Sequence, residues 1–203
     1  MSGVNSFVHG LNKRMFVILS HINPEVSMRP STRFAKEHFK GKKITCAEIG
    51  VSYGDNALNI LSILNIKKIF LIDPYEITKD FPQGQQIDWA QNKKPEEVYK
   101  ACQRKLNRFN DKIKFLMMPS SQAIDSVRSY VKKLDFIYID GNHQYKYVKK
   151  DLELYFPLLK KKGIIAGDDF SGSFPGLCKA VLEFSKKNKL EFHGEQKDWW
   201  FIK

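Results

Sequence analysis

Three aspartates and a histidine stand where two apolar runs end, in Phe136-Ile-Tyr-Ile-Asp140-Gly-Asn-His143 and Gly167-Asp168-Asp169. Brought together without a cation, Asp140, Asp168 and Asp169 would repel and raise one another's pKa. Either one carboxylate points away, or a hard divalent ion such as magnesium sits among the oxygens. His143 has an ordinary pKa near neutrality and can take a proton from a hydroxyl within reach. This set can deprotonate an acceptor oxygen, with or without a metal. The competing assignment is a group of turn and capping aspartates beside a surface histidine.

A second set lies upstream, in Glu48-Ile-Gly50-Val-Ser52-Tyr53-Gly54. Glycines between a strand and a helix allow positive φ and close approach of a ligand to the main chain, and the helix start offers free amide donors. Glu48 interrupts an apolar run, and a buried carboxylate needs a partner. Asp73, at the end of the next apolar run, is placed to accept bonds from both hydroxyls of a ribose. It could equally be a turn aspartate before Pro74. The turn lacks the close Gly-x-Gly pair and third glycine of a dinucleotide fingerprint, so an adenosyl ligand is favoured over a nicotinamide one.

These residues need a scaffold that brings strand ends together. From residue 44 onward short apolar runs alternate with amphipathic stretches, the rhythm of a parallel sheet with crossover helices. The strands are expected at Ile44–Ile49, Lys68–Ile72, Lys114–Met118, Leu134–Ile139 and Gly163–Gly167, with two more at Leu190–His193 and Trp199–Ile202. Helical spacing joins Ala57, Leu61 and Leu64, then Ile124, Val127 and Val131. It recurs from Val148 through Leu152 and Tyr155 to Leu159, and over Leu177, Ala180, Val181 and Phe184. Ligands of open parallel sheets bind beyond the carboxyl ends of the strands, which puts chemistry at Gly50, Asp73, Ser120, Asp140 and Asp168. Residues 76–95, with Pro82, Gly84 and Trp89, read as a long binding loop.

With 203 residues and 42% hydrophobic composition, the chain has enough apolar surface for one substantial core. No apolar run is long enough to span a bilayer, so a cytoplasmic protein with no membrane partner is expected. Cys46, Cys102 and Cys178 are too few and too dispersed for a disulfide framework or a paired-cysteine zinc site. The net charge of +12 would attract polyanions, yet only six of the 34 basic residues are arginines and the lysines lie in scattered doublets and triplets. A nucleic-acid partner is therefore weighed but not favoured.

Together these residues resemble the class I S-adenosylmethionine-dependent methyltransferases, and more closely the small branch that includes macrocin-type sugar O-methyltransferases. The resemblance runs over residues 44–203. Its motifs are the Glu48–Gly54 turn, Ile72-Asp73-Pro74-Tyr75, and Asp140-Gly-Asn-His143 leading through Asp151 and Pro157-Leu-Leu to Gly163 and Asp168-Asp169. It implies an α/β, Rossmann-like, doubly wound sheet of seven strands, mostly parallel with the last strand antiparallel. It also implies S-adenosyl-L-methionine as cofactor. Glu48, Gly50, Ser52, Tyr53 and Gly54 would border its methionine end together with Asp140. Asp73 would hold the ribose, and Ser120 or Ser121 would lie near the adenine. Asp140, Asp168 and Asp169 match positions that bind magnesium in metal-dependent members, although Asn142 stands where an acid is frequent.

On this resemblance the methyl acceptor is a small-molecule or sugar hydroxyl, with His143 and Asp140 as the catalytic residues. Residues 41–203 form the methyltransferase domain. Residues 1–40 match nothing in the family and are expected to be a helical extension of the same domain, serving as a lid or a homodimer contact. Two rivals are an RNA ribose methyltransferase and a non-catalytic nucleotide-binding module of the same fold. Methylation of exocyclic base amines is disfavoured, since neither Asn-Pro-Pro-Tyr nor Asp-Pro-Pro-Tyr is present.

Overall fold

The structure, a computed structural model, describes residues 28–76 and 94–203. Among these, helix α1 (Pro30–Phe39) precedes β1 (Ile44–Ile49), α2 (Asp55–Ile63), β2 (Ile66–Ile72), α3 (Pro95–Leu106), β3 (Ile113–Leu116) and α4 (Ser120–Tyr130). There follow β4 (Leu134–Ile139), α5 (Tyr145–Tyr155), β5 (Leu159–Gly167), α6 (Pro175–Asn188), β6 (His193–Glu195) and β7 (Asp198–Ile202). The strands form one seven-stranded sheet in the order β3-β2-β1-β4-β5-β7-β6. All pairs from β3 to β5 are parallel, and β7 lies antiparallel between β5 and β6.

The central strands are apolar throughout because both faces are covered. In β4 every residue is buried, and successive side chains serve opposite layers. Ile137 and Ile139 pack with Ile124, Val127, Leu152 and Val181 of α4–α6, whereas Phe136 and Tyr138 join the layer of Ala35, Ala57, Ile60 and Cys102 from α1–α3. This is the doubly wound arrangement, and the strand order reverses between β1 and β4. The crevice at that reversal is where the ligand of such a sheet is expected.

Several boundaries differ from the sequence reading for identifiable reasons. Leu159 begins β5 instead of ending α5, because Pro157 closes the helix through a short 3-10 turn. The first strand of the terminal pair is His193–Glu195, not Leu190–His193. Leu190 is instead bound to the end of α6, its amide donating to Ser185 O and its carbonyl accepting from Ser185 Oγ. Helix α3 is absent from the sequence reading, although Pro95 at its start, Glu96 and Glu97 in the first turn and Arg104 and Lys105 in the last are ordinary helix-end signals. Cys46 and Cys102 are buried thiols, and no cysteine is bonded to another. The binding loop read at 76–95 lies almost wholly outside the described residues, as do residues 1–27 of the N-terminal extension.

Candidate active site

β1 delivers the chain into a turn where local sequence leaves little choice of residue. Gly50 has φ +82°, its amide donates to Ile72 O at 2.9 Å, and a Cβ there would fall 2.1 Å from the carbonyl oxygen of Asp140. The end of β1 is thus pressed against the end of β4, across the point where strand order reverses. Gly54, with φ +76°, opens α2, and a Cβ on it would meet Cys102 Sγ at 2.7 Å. Ser52 also takes a positive φ, and its carbonyl accepts from the Tyr75 hydroxyl at 3.1 Å.

Asp73 is the staple of this turn. Its Oδ2 accepts from the amides of Val51 and Ser52 at 2.8 and 2.9 Å, and its Oδ1 from the amide of Tyr75 at 2.8 Å. A carboxylate has about four lone-pair sites, so outward-facing capacity remains for a ribose hydroxyl. Glu48, only 1% exposed, lies beneath. Its Oε1 accepts from Asn56 Nδ2 at 3.0 Å, while Glu48 Oε2 and Asn56 Oδ1 have no partner. Burial raises the Glu48 pKa to about 8, so the side chain is mostly neutral at pH 7.

Ser120 and Ser121 open α4 at the end of β3. Ser120 Oγ bonds Asp151 Oδ1 at 2.5 Å, and its carbonyl accepts from the Tyr155 hydroxyl at 2.8 Å. Ser120 is therefore a tie between α4 and α5, with burial raising the Asp151 pKa to about 7. Ser121 beside it is partly exposed.

At the other half of the site the aspartates separate into two roles. Asp168 faces Arg29, which forms an ion pair with it at 2.5 Å and reaches Asp198 Oδ1 at 3.2 Å. The guanidinium also lies 5.6 Å from the centre of the Tyr138 ring. Asp198, 3% exposed, accepts further bonds from Ser31 N at 3.0 Å, Ser31 Oγ at 2.5 Å and the Tyr138 hydroxyl at 3.1 Å. It fastens the start of α1 to the ligand end of the sheet. Neither Arg29 nor Asp198 was among the expected site residues. Asp198 left a faint signal, as a charged residue opening an apolar strand; Arg29 left none.

Asp140, His143 and Asp169 form the second group, with one ligand atom from each lying within 4.8 Å of the others. His143 Nε2 is 2.8 Å from Asp169 Oδ2 and 3.9 Å from Asp140 Oδ1, and its ring stands edge-on to Phe174 at 4.6 Å. Burial lowers the His143 pKa although Asp169 and Asp168 pull it upward, which keeps the ring neutral at pH 7. Burial and the neighbouring Asp168 drive the Asp140 pKa well up, with Arg29 opposing them. The trio expected for magnesium, Asp140, Asp168 and Asp169, is thus rearranged. Arg29 supplies a positive charge at Asp168, while Asp140, Asp169 and His143 keep their ligand atoms together.

A glycine turn at the end of β1, an acid at the end of β2 and polar groups after β4 and β5 stand at the ligand end of a sheet with the fold of the class I S-adenosylmethionine-dependent methyltransferases. Residues 47–170 match the methyltransferase domain family, a stretch running from the glycine turn through Asp169. The chain belongs to that family. It is similar to an uncharacterized protein of Acanthamoeba polyphaga mimivirus, 24% identical over 161 residues that cover 79% of this chain and 64% of that protein. The chain thus spans less than two thirds of that curated relative. Among solved structures, the calicheamicin methyltransferase CalS11 superposes with a TM-score of 0.67 at 11% identity, over 100% of this chain and 93% of that one. The O-methyltransferase NovP gives 0.62 at 15% identity, over 85% and 78%. An O-methyltransferase from Bacillus cereus, solved in complex with SAH, gives 0.62 at 12% identity, over 93% and 90%. At such identities the likeness speaks to the fold alone.

Proposed function

We propose that this chain is a cytoplasmic O-methyltransferase that transfers the methyl group of S-adenosylmethionine to a hydroxyl of a small molecule or sugar. The observation that carries the reading is His143 Nε2 held 2.8 Å from Asp169 Oδ2 beside the Gly50–Asp140 contact. With Nε2–H donating to Asp169, Nδ1 keeps its lone pair and is the proton acceptor. Asp169 then fixes the tautomer and stabilises the imidazolium that forms. The deprotonated oxygen attacks the sulfonium methyl in line, and the protein's contribution is alignment, because the sulfonium is already a good leaving group.

On this proposal Gly50, Ser52, Tyr53 and Gly54 border the methionine end of the cofactor, Asp73 takes a ribose hydroxyl through its one remaining lone-pair site, and Ser121 lies nearer the adenine than Ser120. The partnerless Glu48 Oε2 beneath the turn suits a polar group arriving from above. A magnesium ion held by Asp140, Asp169 and His143 would polarise the acceptor hydroxyl. It would also engage the imidazole. Acids crowd this end of the sheet, which favours an uncharged or cationic acceptor over an RNA ribose flanked by phosphates.

Replacing His143 with Ala is expected to lower turnover at least about 100-fold while S-adenosylhomocysteine affinity changes by less than about 2-fold. Undiminished turnover removes His143 from the mechanism.

A further inference from the structure

The lysines that look scattered in sequence are gathered by the topology onto one edge of the molecule. Every parallel strand begins at the edge opposite the candidate active site, and each opens beside lysine: Lys43 before β1, Lys67 within β2, Lys112 before β3, Lys132 before β4, and Lys161 and Lys162 within β5. β7 runs the other way, so its end brings Lys203 to the same edge. There Lys162 N donates to Lys203 O at 2.7 Å and Lys203 N to Gly163 O at 3.0 Å. The segments that open these strands contain only two acids, Asp111 and Asp135. Asp135 is 3% exposed and already neutralised by Lys160, whose Nζ is 2.9 Å from both its oxygens. The opposite edge carries Asp73, Asp140, Asp168 and Asp169. Charge is therefore sorted along the strand direction, acidic at the candidate active site and basic at the far edge.

We infer that this lysine edge is a docking surface for the phosphate backbone of a nucleic-acid duplex, separate from the methyl-transfer site. The six strands from β3 to β7 lie in one row, and at a spacing of about 4.8 Å the row is about 24 Å long. One strand of a duplex presents a charge about every 3.4 Å along its axis, so a row of this length faces several phosphates. A narrow line of charge suits a linear polyanion better than the plane of a membrane. The row is made of lysine, a point charge without arginine's bidentate fork, so contact is to backbone and independent of sequence. The acidic site at the other end repels the same polyanion and orients the protein with its active site facing outward.

The test is fluorescence anisotropy of a short labelled RNA duplex with the full chain, its Lys43/Lys132/Lys161/Lys162→Glu variant, and a control of equal charge, Lys100/Lys149/Lys150/Lys179→Glu. All eight positions are exposed. Wild type is expected to bind with a Kd that rises at least about 30-fold between about 50 and about 200 mM salt, as release of several counterions requires. The edge variant should lose at least about 10-fold in affinity, the control less than about 3-fold, and both should keep S-adenosylhomocysteine binding and thermal midpoint. Equal losses in the two variants would reduce the effect to net charge and overturn the proposal. So would failure of wild type to bind the duplex at low salt, or binding to phosphatidylserine vesicles with none to the duplex. Loss of S-adenosylhomocysteine binding in wild type would count against the methyltransferase site and leave the docking surface standing.

Discussion

The two halves of the candidate site are built on opposite principles. The Glu48–Gly54 turn is fixed by backbone shape: two glycines at positive φ, amides stapled by Asp73, and a buried Glu48 that burial keeps near neutral. The half formed by Asp140, His143, Asp168 and Asp169 is fixed by charge, and its counter-cation Arg29 comes from a remote part of the chain. Shape tolerates no extra atom, whereas charge tolerates changes of partner. On the proposed function, the half that would hold the cofactor is therefore the rigid one, and the half that would meet a variable acceptor is the adjustable one.

That contrast is tested most severely at Gly50. An alanine there would set its Cβ against the Asp140 carbonyl in a backbone conformation that side chains resist. The expected cost is about 3 kcal/mol of stability in denaturant unfolding, together with loss of S-adenosylhomocysteine affinity of at least about 100-fold. A near-silent Gly50→Ala would mean that the turn is not the rigid half.

On the charged side, Asp198→Ala removes the acceptor for Ser31, Tyr138 and Arg29 at once. Leaving those donors buried should cost roughly 2 kcal/mol and speed proteolysis near α1, with the cofactor affinity less affected than by Gly50→Ala. Equal loss of cofactor affinity in the two variants would erase the distinction between the halves.

The smallest effect is expected at Glu48, and it is one of pH. The native carboxyl keeps its proton up to about pH 8, while the unfolded one gives it up near its ordinary value of 4.5. The native state thus holds the extra proton across that window, and stability falls as pH rises through it. Glu48→Gln keeps the acceptor for Asn56 and removes the titration. Its thermal midpoint should hold more level than that of wild type between pH 5 and pH 8, the window set by the two values above. Parallel profiles would show that Glu48 is ionised in the fold.

The rigid half was legible in the sequence because its determinants are local. Strands covered on both faces read as unbroken apolar runs, and β1 and β4 fall at the residues expected. Glycines at a strand-to-helix turn announce the backbone they permit. The charged half was legible only in part. Asp140, His143 and Asp169 follow strand ends and were placed by that rule, but the partner of Asp168 lies in α1's approach, and its companion Asp198 is 169 residues distant from it in sequence. No periodicity encodes an ion pair of that separation. The same holds for the lysine edge, since strand-opening lysines become one row only after strand order and direction are known.

The most direct test of the central claim is calorimetric titration of the purified chain with S-adenosylmethionine and S-adenosylhomocysteine. The account predicts one saturable site for both, abolished by Gly50→Ala and retained by His143→Ala. Absence of binding by wild type to either ligand would contradict it.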